Sequence, residues 1–99
     1  MANVRLDLNQ REFLQDLFGL TKEQQRAVLN TLRRVSAMTW EQVYGDRGLK
    51  WEAISSRVAS DGRRIYTFRC GRGFRATAYR KGDYMMLLSL HPDHDSAYR

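Results

Sequence analysis

Residues 63–91 read RRIYTFRCGRGFRATAYRKGDYMMLLSLH, and this stretch decides the fold. Apolar and polar side chains alternate with a period of two through 63–70 and again through 73–80, the pattern of strands that lay one face on a core. Arg72-Gly73 and Lys81-Gly82-Asp83 interrupt the alternation as turns. The spacing therefore predicts three hairpin-connected strands over about 63–70, 73–80 and 84–91. The third, Tyr84-Met85-Met86-Leu87-Leu88-Ser89-Leu90, is almost wholly apolar, as a central strand buried on both faces would be, and Pro92 ends it. In the second strand Phe74, Ala76 and Ala78 point one way, toward a core, while Arg75, Thr77 and Tyr79 point the other. The same count puts Ile65, Thr67 and Arg69 on one face of the first strand. If the two open faces coincide, Arg69 and Arg75 are neighbours.

Upstream of residue 60 the apolar period becomes helical. Asn9 is placed to cap a first helix over roughly 10–18, with Phe13, Leu14, Leu17 and Phe18 as its apolar stripe and Gly19 as its stop. Thr21-Lys22-Glu23-Gln24 is a capping box that opens a second helix, about 22–37, with Val28, Leu29, Leu32 and Val35 at helical spacing. The short link makes the two an antiparallel hairpin. Their exposed arginines, Arg26, Arg33 and Arg34, read as a solvated face. Thr39-Trp40-Glu41-Gln42 repeats the capping pattern and implies one more turn, ended by Gly45. Residues 3–8 alternate and read as a short edge strand or an extended lead-in. Residues 49–54 read as a strand or tight connector, and 55–62 as a polar loop. The expected class is α+β, with an N-terminal helical hairpin packed on an antiparallel sheet and a short C-terminal tail, all in one domain spanning 1–99.

With 42% hydrophobic and 11% aromatic residues among 99, the chain has the apolar content to build a folded core rather than a disordered tail. No apolar run approaches 18 residues, so no membrane span is expected, and the first residues lack the apolar segment of a secretory signal. The lone Cys70 has no internal disulfide partner, which fits a reducing cytoplasm. Its place in a strand pattern makes it a small buried apolar residue rather than a nucleophile. The net charge is +6. Fourteen of the seventeen basic residues are Arg, and seven basic residues but no acid fall between Arg63 and Lys81. That concentration points to an anionic partner, above all nucleic acid.

The last residues, His91-Pro92-Asp93-His94-Asp95-Ser96-Ala97-Tyr98-Arg99, gather two imidazoles, two carboxylates, a phenol and a guanidinium. Imidazole moves protons near neutral pH, and guanidinium holds phosphate. RNA carries its own nucleophile, the 2′-hydroxyl, so such a set suits cleavage without a metal or other cofactor. Alternatives stay open for several of these residues. His91 is a strand-end hydrogen-bonding residue or a member of the site. Asp93 and Asp95 cap a last turn or orient His94. Tyr98 docks the tail on the sheet or serves the site. His91-x-Asp93-His94-Asp95 also has a metal-ligand look, but metal ligands usually come from separated segments. Trp40 and Trp51 read as core.

The chain resembles the RelE/ParE superfamily of toxins from toxin–antitoxin pairs. The resemblance covers nearly its whole length and rests on the element order, on Leu49-Lys50-Trp51, on Gly73-Phe74-Arg75 opening a strand, and on His94-x-x-x-Tyr98 in the tail. In the ribosome-dependent ribonucleases of that superfamily a strand begins Gly-aromatic-Arg and its arginine assists catalysis, and the tail carries a basic residue four positions before an aromatic one. The resemblance thus implies an mRNA endoribonuclease that acts on the ribosome, partnered by an antitoxin, with no small-molecule ligand. The catalytic set would be Arg75 as charge clamp, His94 as proton carrier, Tyr98 as proton donor or base-stacking platform, and Asp95 orienting His94. Arg69, Arg72, Arg80, Lys81 and His91 would bind RNA. The chain departs from the pattern in having three lysines where the RelE branch often supplies several, so arginines would have to serve. The other readings are a non-enzymatic, gyrase-poisoning toxin of the ParE branch, which lacks such a tail, and an inactive basic RNA-binding relative.

Overall fold

The computed structural model describes residues 2–92; Asp93, His94, Asp95 and Tyr98, the candidates expected in the tail, lie outside the described residues. Five strands form one sheet in the order β1-β5-β4-β3-β2, with β1 at Arg5–Asp7, β2 at Glu52–Val58, β3 at Arg64–Gly71, β4 at Phe74–Lys81 and β5 at Tyr84–His91. Three helices, α1 at Arg11–Gly19, α2 at Lys22–Ser36 and α3 at Trp40–Gly45, precede β2. The architecture is α+β, with the helices on one face of a mostly antiparallel sheet.

The meander appears within one residue of its expected bounds, and its two turns carry Gly73 at φ 69° and Gly82 at φ 62°, a region open to glycine. Both capping boxes form: Thr21 Oγ1 accepts from the Gln24 amide at 3.2 Å and Thr39 Oγ1 from the Gln42 amide at 3.3 Å, each answered by the glutamine side chain. Asn9 is not the first cap. Its own amide donates to Asp7 Oδ1, and Gln10 stands at the cap position without a side-chain bond.

The helix-side core joins Phe13, Val28, Leu32 and Val35 of the hairpin to Phe68, Phe74, Ala76, Ala78, Met85 and Leu87 of the sheet. Two residues of the expected stripes stay out of it: Phe18 is 74% exposed and Leu29 is 51% exposed. Val28, Thr31, Leu32 and Val35 already fill the inward arc of α2, which turns Leu29 outward.

Three further features differ from the sequence reading. Residues 5–7 do form an edge strand, but it pairs parallel to β5, with Leu6 opposite Met85. The first half of the expected loop at 55–62 is strand, since β2 runs to Val58 across a register shift. The apolar β5 is internal but not buried on both faces, because Tyr84 is exposed and Met86 and Leu88 are half-buried. The centre of the sheet is β4.

Candidate functional site on the helix-free face

Register fixes which side chains share the face away from the helices. Arg75 pairs with Arg69 on β3 and with His91 on β5, and Thr77 pairs with Thr67 and with Ser89. Cross-strand partners project from the same side of a sheet. The helix-free face therefore carries, at one end of its three middle strands, Thr67, Arg69, Arg75, Thr77, Ser89 and His91. The expected adjacency of Arg69 and Arg75 holds. A register shift after Thr77 leaves β5 one residue longer than β4 opposite Ala78, and this bulge lets Ser89 and His91 share a face with Arg75 although Leu87 and Leu90 both face the core.

Arg75 is only 2% exposed. Its Nη2 donates to the Lys50 carbonyl at 2.9 Å and to the Thr67 hydroxyl, and it lies 3.9 Å from Glu52 Oε2. Its buried Nε has no hydrogen-bond partner among the described residues. Arg69, by contrast, is exposed. The segment Leu49-Lys50-Trp51 ties both arginines down, because the Leu49 carbonyl accepts the Arg69 amide at 2.7 Å and the Lys50 carbonyl accepts the Arg75 guanidinium. Leu49 is fully buried, and Trp51 stacks on Tyr66 at 4.7 Å. Lys50 adopts φ 52°, a left-handed conformation that costs a side-chain-bearing residue about 1 kcal/mol. Lys50→Gly should therefore raise stability by up to about 1 kcal/mol in chemical denaturation; a clear loss would show that the lysine side chain, 3.7 Å from Glu52, outweighs the backbone strain.

On the β5 side a hydroxyl chain runs inward from the imidazole. His91 Nε2 lies 2.8 Å from Ser89 Oγ, and Ser89 Oγ is hydrogen-bonded to Thr77 Oγ1. Ser89 and Thr77 are buried, and His91 is half-buried. From α1, Asp16 Oδ2 accepts the Leu90 amide at 2.9 Å and so pins the strand beside His91. Burial holds the His91 pKa below its ordinary 6.5. The carboxylates of Asp16 and Glu12 pull it up, while Arg57 pushes it down. The folded state thus prefers the neutral ring. As pH falls below 6.5 the unfolded chain binds the proton first, so stability should drop through that window and level off below the folded value. Thermal melts at pH 7.5 and 5.5 should show the wild type losing more stability than His91→Asn; equal losses would remove His91 as a source of the pH dependence.

The other residues expected to bind RNA are dispersed. Arg72 is exposed in the β3–β4 turn, near Arg69 and Arg75 in sequence. Arg80 and Lys81 lie at the opposite end of β4, about 17 Å along the strand from Arg75 by strand rise. Arg80 is also on the helix side, stacked 4.8 Å from the Trp40 ring and donating to the Tyr44 hydroxyl at 2.8 Å and the Gly82 carbonyl at 2.7 Å. Trp40 is buried, as expected of core, and Cys70 is buried with its thiol pushed up to about 12 by desolvation, so it stays protonated at neutral pH. Alternation puts Thr67 on one face with Arg69, but sequence reasoning did not single out Ser89 on this face, nor Arg57 and Asp16 as charges acting on His91. Ser89 did carry a signal, as a hydroxyl set within an otherwise apolar run.

The backbone as a whole matches a solved structure, the archaeal RelE–RelB complex from Pyrococcus horikoshii OT3, with a TM-score of 0.55 over 92% of this chain and 93% of that chain, at 17% identity. The chain has the RelE fold. A copper-bound mutant toxin from Helicobacter pylori aligns more loosely, with a TM-score of 0.48 at 18% identity, over 97% of this chain and 98% of that one. No protein-family model and no curated protein matches the chain. Within the RelE fold the two landmarks quoted from the described sequence, Leu49-Lys50-Trp51 and Gly73-Phe74-Arg75, meet at one point, the hydrogen bond from Arg75 to the Lys50 carbonyl. Among the described residues no helix is long and apolar enough to cross a membrane.

Proposed function

We propose that this protein is the toxin of a toxin–antitoxin pair and acts in the cytoplasm as a ribosome-dependent mRNA endoribonuclease. The observation that carries this reading is the cross-strand grouping of Arg69, Arg75 and His91 on the helix-free face. Three needs attend RNA cleavage: a deprotonated 2′-oxygen, a stabilised phosphorane and a protonated 5′-oxygen. Guanidinium groups answer the second by offering paired donors to the equatorial phosphate oxygens. Arg75 is the clamp in this reading. Its buried Nε without a partner is a donor whose desolvation an anion would offset. Arg69 and Arg72 seat the flanking phosphates, and Lys81 extends the basic surface at the far end. In this reading His94, Asp95 and Tyr98, which follow β5 in the sequence, serve the same phosphate. An antitoxin protein is the partner in the uninhibited cell.

The burial of Arg75 favours a second reading. With Nη2 bonded to the Lys50 carbonyl and Thr67, the guanidinium would be purely structural, and the protein a non-enzymatic toxin that binds a protein target such as gyrase. Inducible expression without the antitoxin separates the two. The first reading expects growth arrest with new mRNA 5′ ends at discrete positions within translated regions. Arrest with gyrase-dependent DNA breaks and intact mRNA would establish the second.

A further inference from the structure

Resting on the ribonuclease reading, we infer that His91 is the proton acceptor of the site and that Ser89 and Thr77 are positioning residues that set its tautomer. Three observations place it there. His91 is the register partner of Arg75 on β5, so base and clamp stand side by side on the helix-free face. Its Nε2 is 2.8 Å from Ser89 Oγ, which is bonded in turn to Thr77 Oγ1. The backbone beside it is pinned to α1 by the bond from the Leu90 amide to Asp16.

The two hydroxyls lie within a strand pair whose other residues at this level are apolar or charged, so their bonding sets a direction. If Nε2–H donates to Ser89 Oγ and the Ser89 hydroxyl donates to Thr77 Oγ1, each of the two bonds has one donor and one acceptor, and the ring's lone pair resides on Nδ1. A half-buried ring in this state is neutral at pH 7 and competent to take a proton. Among the described residues, the charged groups near it include Glu12 and Asp16 on α1, Arg57 on β2 and its register partner Arg75 on β4. The two carboxylates favour the imidazolium once it forms, and the arginines favour its return to neutral.

The chemistry balances without a cofactor. Nδ1 takes the proton of the RNA 2′-hydroxyl as the 2′-oxygen bonds to phosphorus. The bond from phosphorus to the 5′-oxygen breaks, leaving a 2′,3′-cyclic phosphate, and the departing 5′-oxygen gains a proton from solvent. The imidazolium then returns its proton to water. Of the three residues in this hydrogen-bonded chain, His91 touches the reacting atoms and Ser89 and Thr77 act through it, while Arg75 holds the phosphate oxygens.

The test uses the full chain on programmed ribosomes across pH 5.5–8.5, alongside ¹⁵N NMR of the imidazole in the free protein. His91→Asn keeps an amide donor toward Ser89 but cannot take up a proton, and it should slow cleavage by about a hundredfold or more with little change in KM. Ser89→Ala should lower kcat severalfold and move the acidic limb of the pH profile. NMR of the wild type should show the Nε2–H tautomer at pH 7.5, and Ser89→Ala should mix the two tautomers. Thermal melts confirm that each variant is folded. Cleavage by folded His91→Asn at the wild-type rate and pH profile, or an Nδ1–H tautomer in the wild type, would overturn the assignment. Failure of the ribonuclease reading looks different: the wild type itself would leave ribosomal mRNA uncut.

Discussion

Arg75→Ala will abolish most cleavage and a measurable part of the stability, and the two losses will be separable. The guanidinium is 2% exposed and donates to the Lys50 carbonyl and the Thr67 hydroxyl. Removing it takes a donor from the Lys50 carbonyl and from Thr67 and leaves a cavity between strands, at a cost of about 2–4 kcal/mol. Glu52 adds little to this, since its carboxylate is 3.9 Å away and 40% exposed. Loss of a transition-state charge clamp commonly slows a reaction by about a hundredfold or more, a size that the stability loss alone cannot produce at a temperature where the variant stays folded. Expression of Arg75→Ala should therefore relieve growth arrest while the protein still binds its antitoxin. Arg75→Lys keeps the charge but lacks the planar fork, so it should recover part of the stability and little of the rate. If Arg75→Ala, folded and at equal concentration, cleaves as fast as the wild type, Arg75 is a brace for the Leu49–Trp51 connector and nothing more.

The sequence is informative about the fold and less so about the site. The meander was legible because alternation, two glycine turns and a terminal proline all say the same thing about 63–92. Capping boxes at Thr21 and Thr39 were legible for a similar reason, since each is a local arrangement closed within four residues. The parallel docking of β1 was not legible, because three residues of alternation specify no partner. Nor was the strand character of 55–58, whose small polar residues gain their conformation from pairing with β3 rather than from their own preference. Phe18 and Leu29 show the limit of counting apolar residues on a helix, since only the packed arc decides which of them turns inward.

The site divides along the same line. Alternation placed Arg75 and Arg69 on a common face, and the register confirms them as neighbours. Alternation could not say that Arg75 would be enclosed, because enclosure depends on Lys50 reaching φ 52° so that its carbonyl meets the guanidinium. Counting by twos from Arg75 also could not relate it to His91 across the hairpin, since the bulge opposite Ala78 changes the phase of β5. Arg80 shows the converse error. It belongs to the basic run in sequence, yet its parity on β4 sends it to the helix side, where Trp40 and Tyr44 take it up.

The largest effect expected of the whole protein is the difference between substrates. On the ribonuclease reading, the purified protein should cut mRNA on programmed ribosomes at a rate orders of magnitude above its rate on the same mRNA free in solution. Among the described residues, the site on the helix-free face offers the His91 imidazole, the Glu52 carboxylate beside Arg75 and otherwise mainly guanidinium and hydroxyl groups. Such a set holds phosphate well but does little to hold a 2′-hydroxyl in line with the 5′-oxygen it must displace. In free RNA that alignment is one conformation among many. A ribosome that fixes the backbone of the mRNA in its decoding site removes most of the search, and orientation of this kind can be worth about 7–11 kcal/mol at its limit. A charge of +6 would draw the protein to ribosomal RNA regardless of sequence, so on this reading binding should weaken steeply between about 50 and 200 mM salt, with a slope that counts the phosphates contacted. Cleavage within the bound complex should respond to salt far less, because the Arg75 guanidinium is buried. The comparison requires equal concentrations of toxin and mRNA, with and without ribosomes, at two salt concentrations. Equal rates on the two substrates would make this a general ribonuclease whose own residues align the RNA, and the search for the aligning group would then return to the side chains around Arg75.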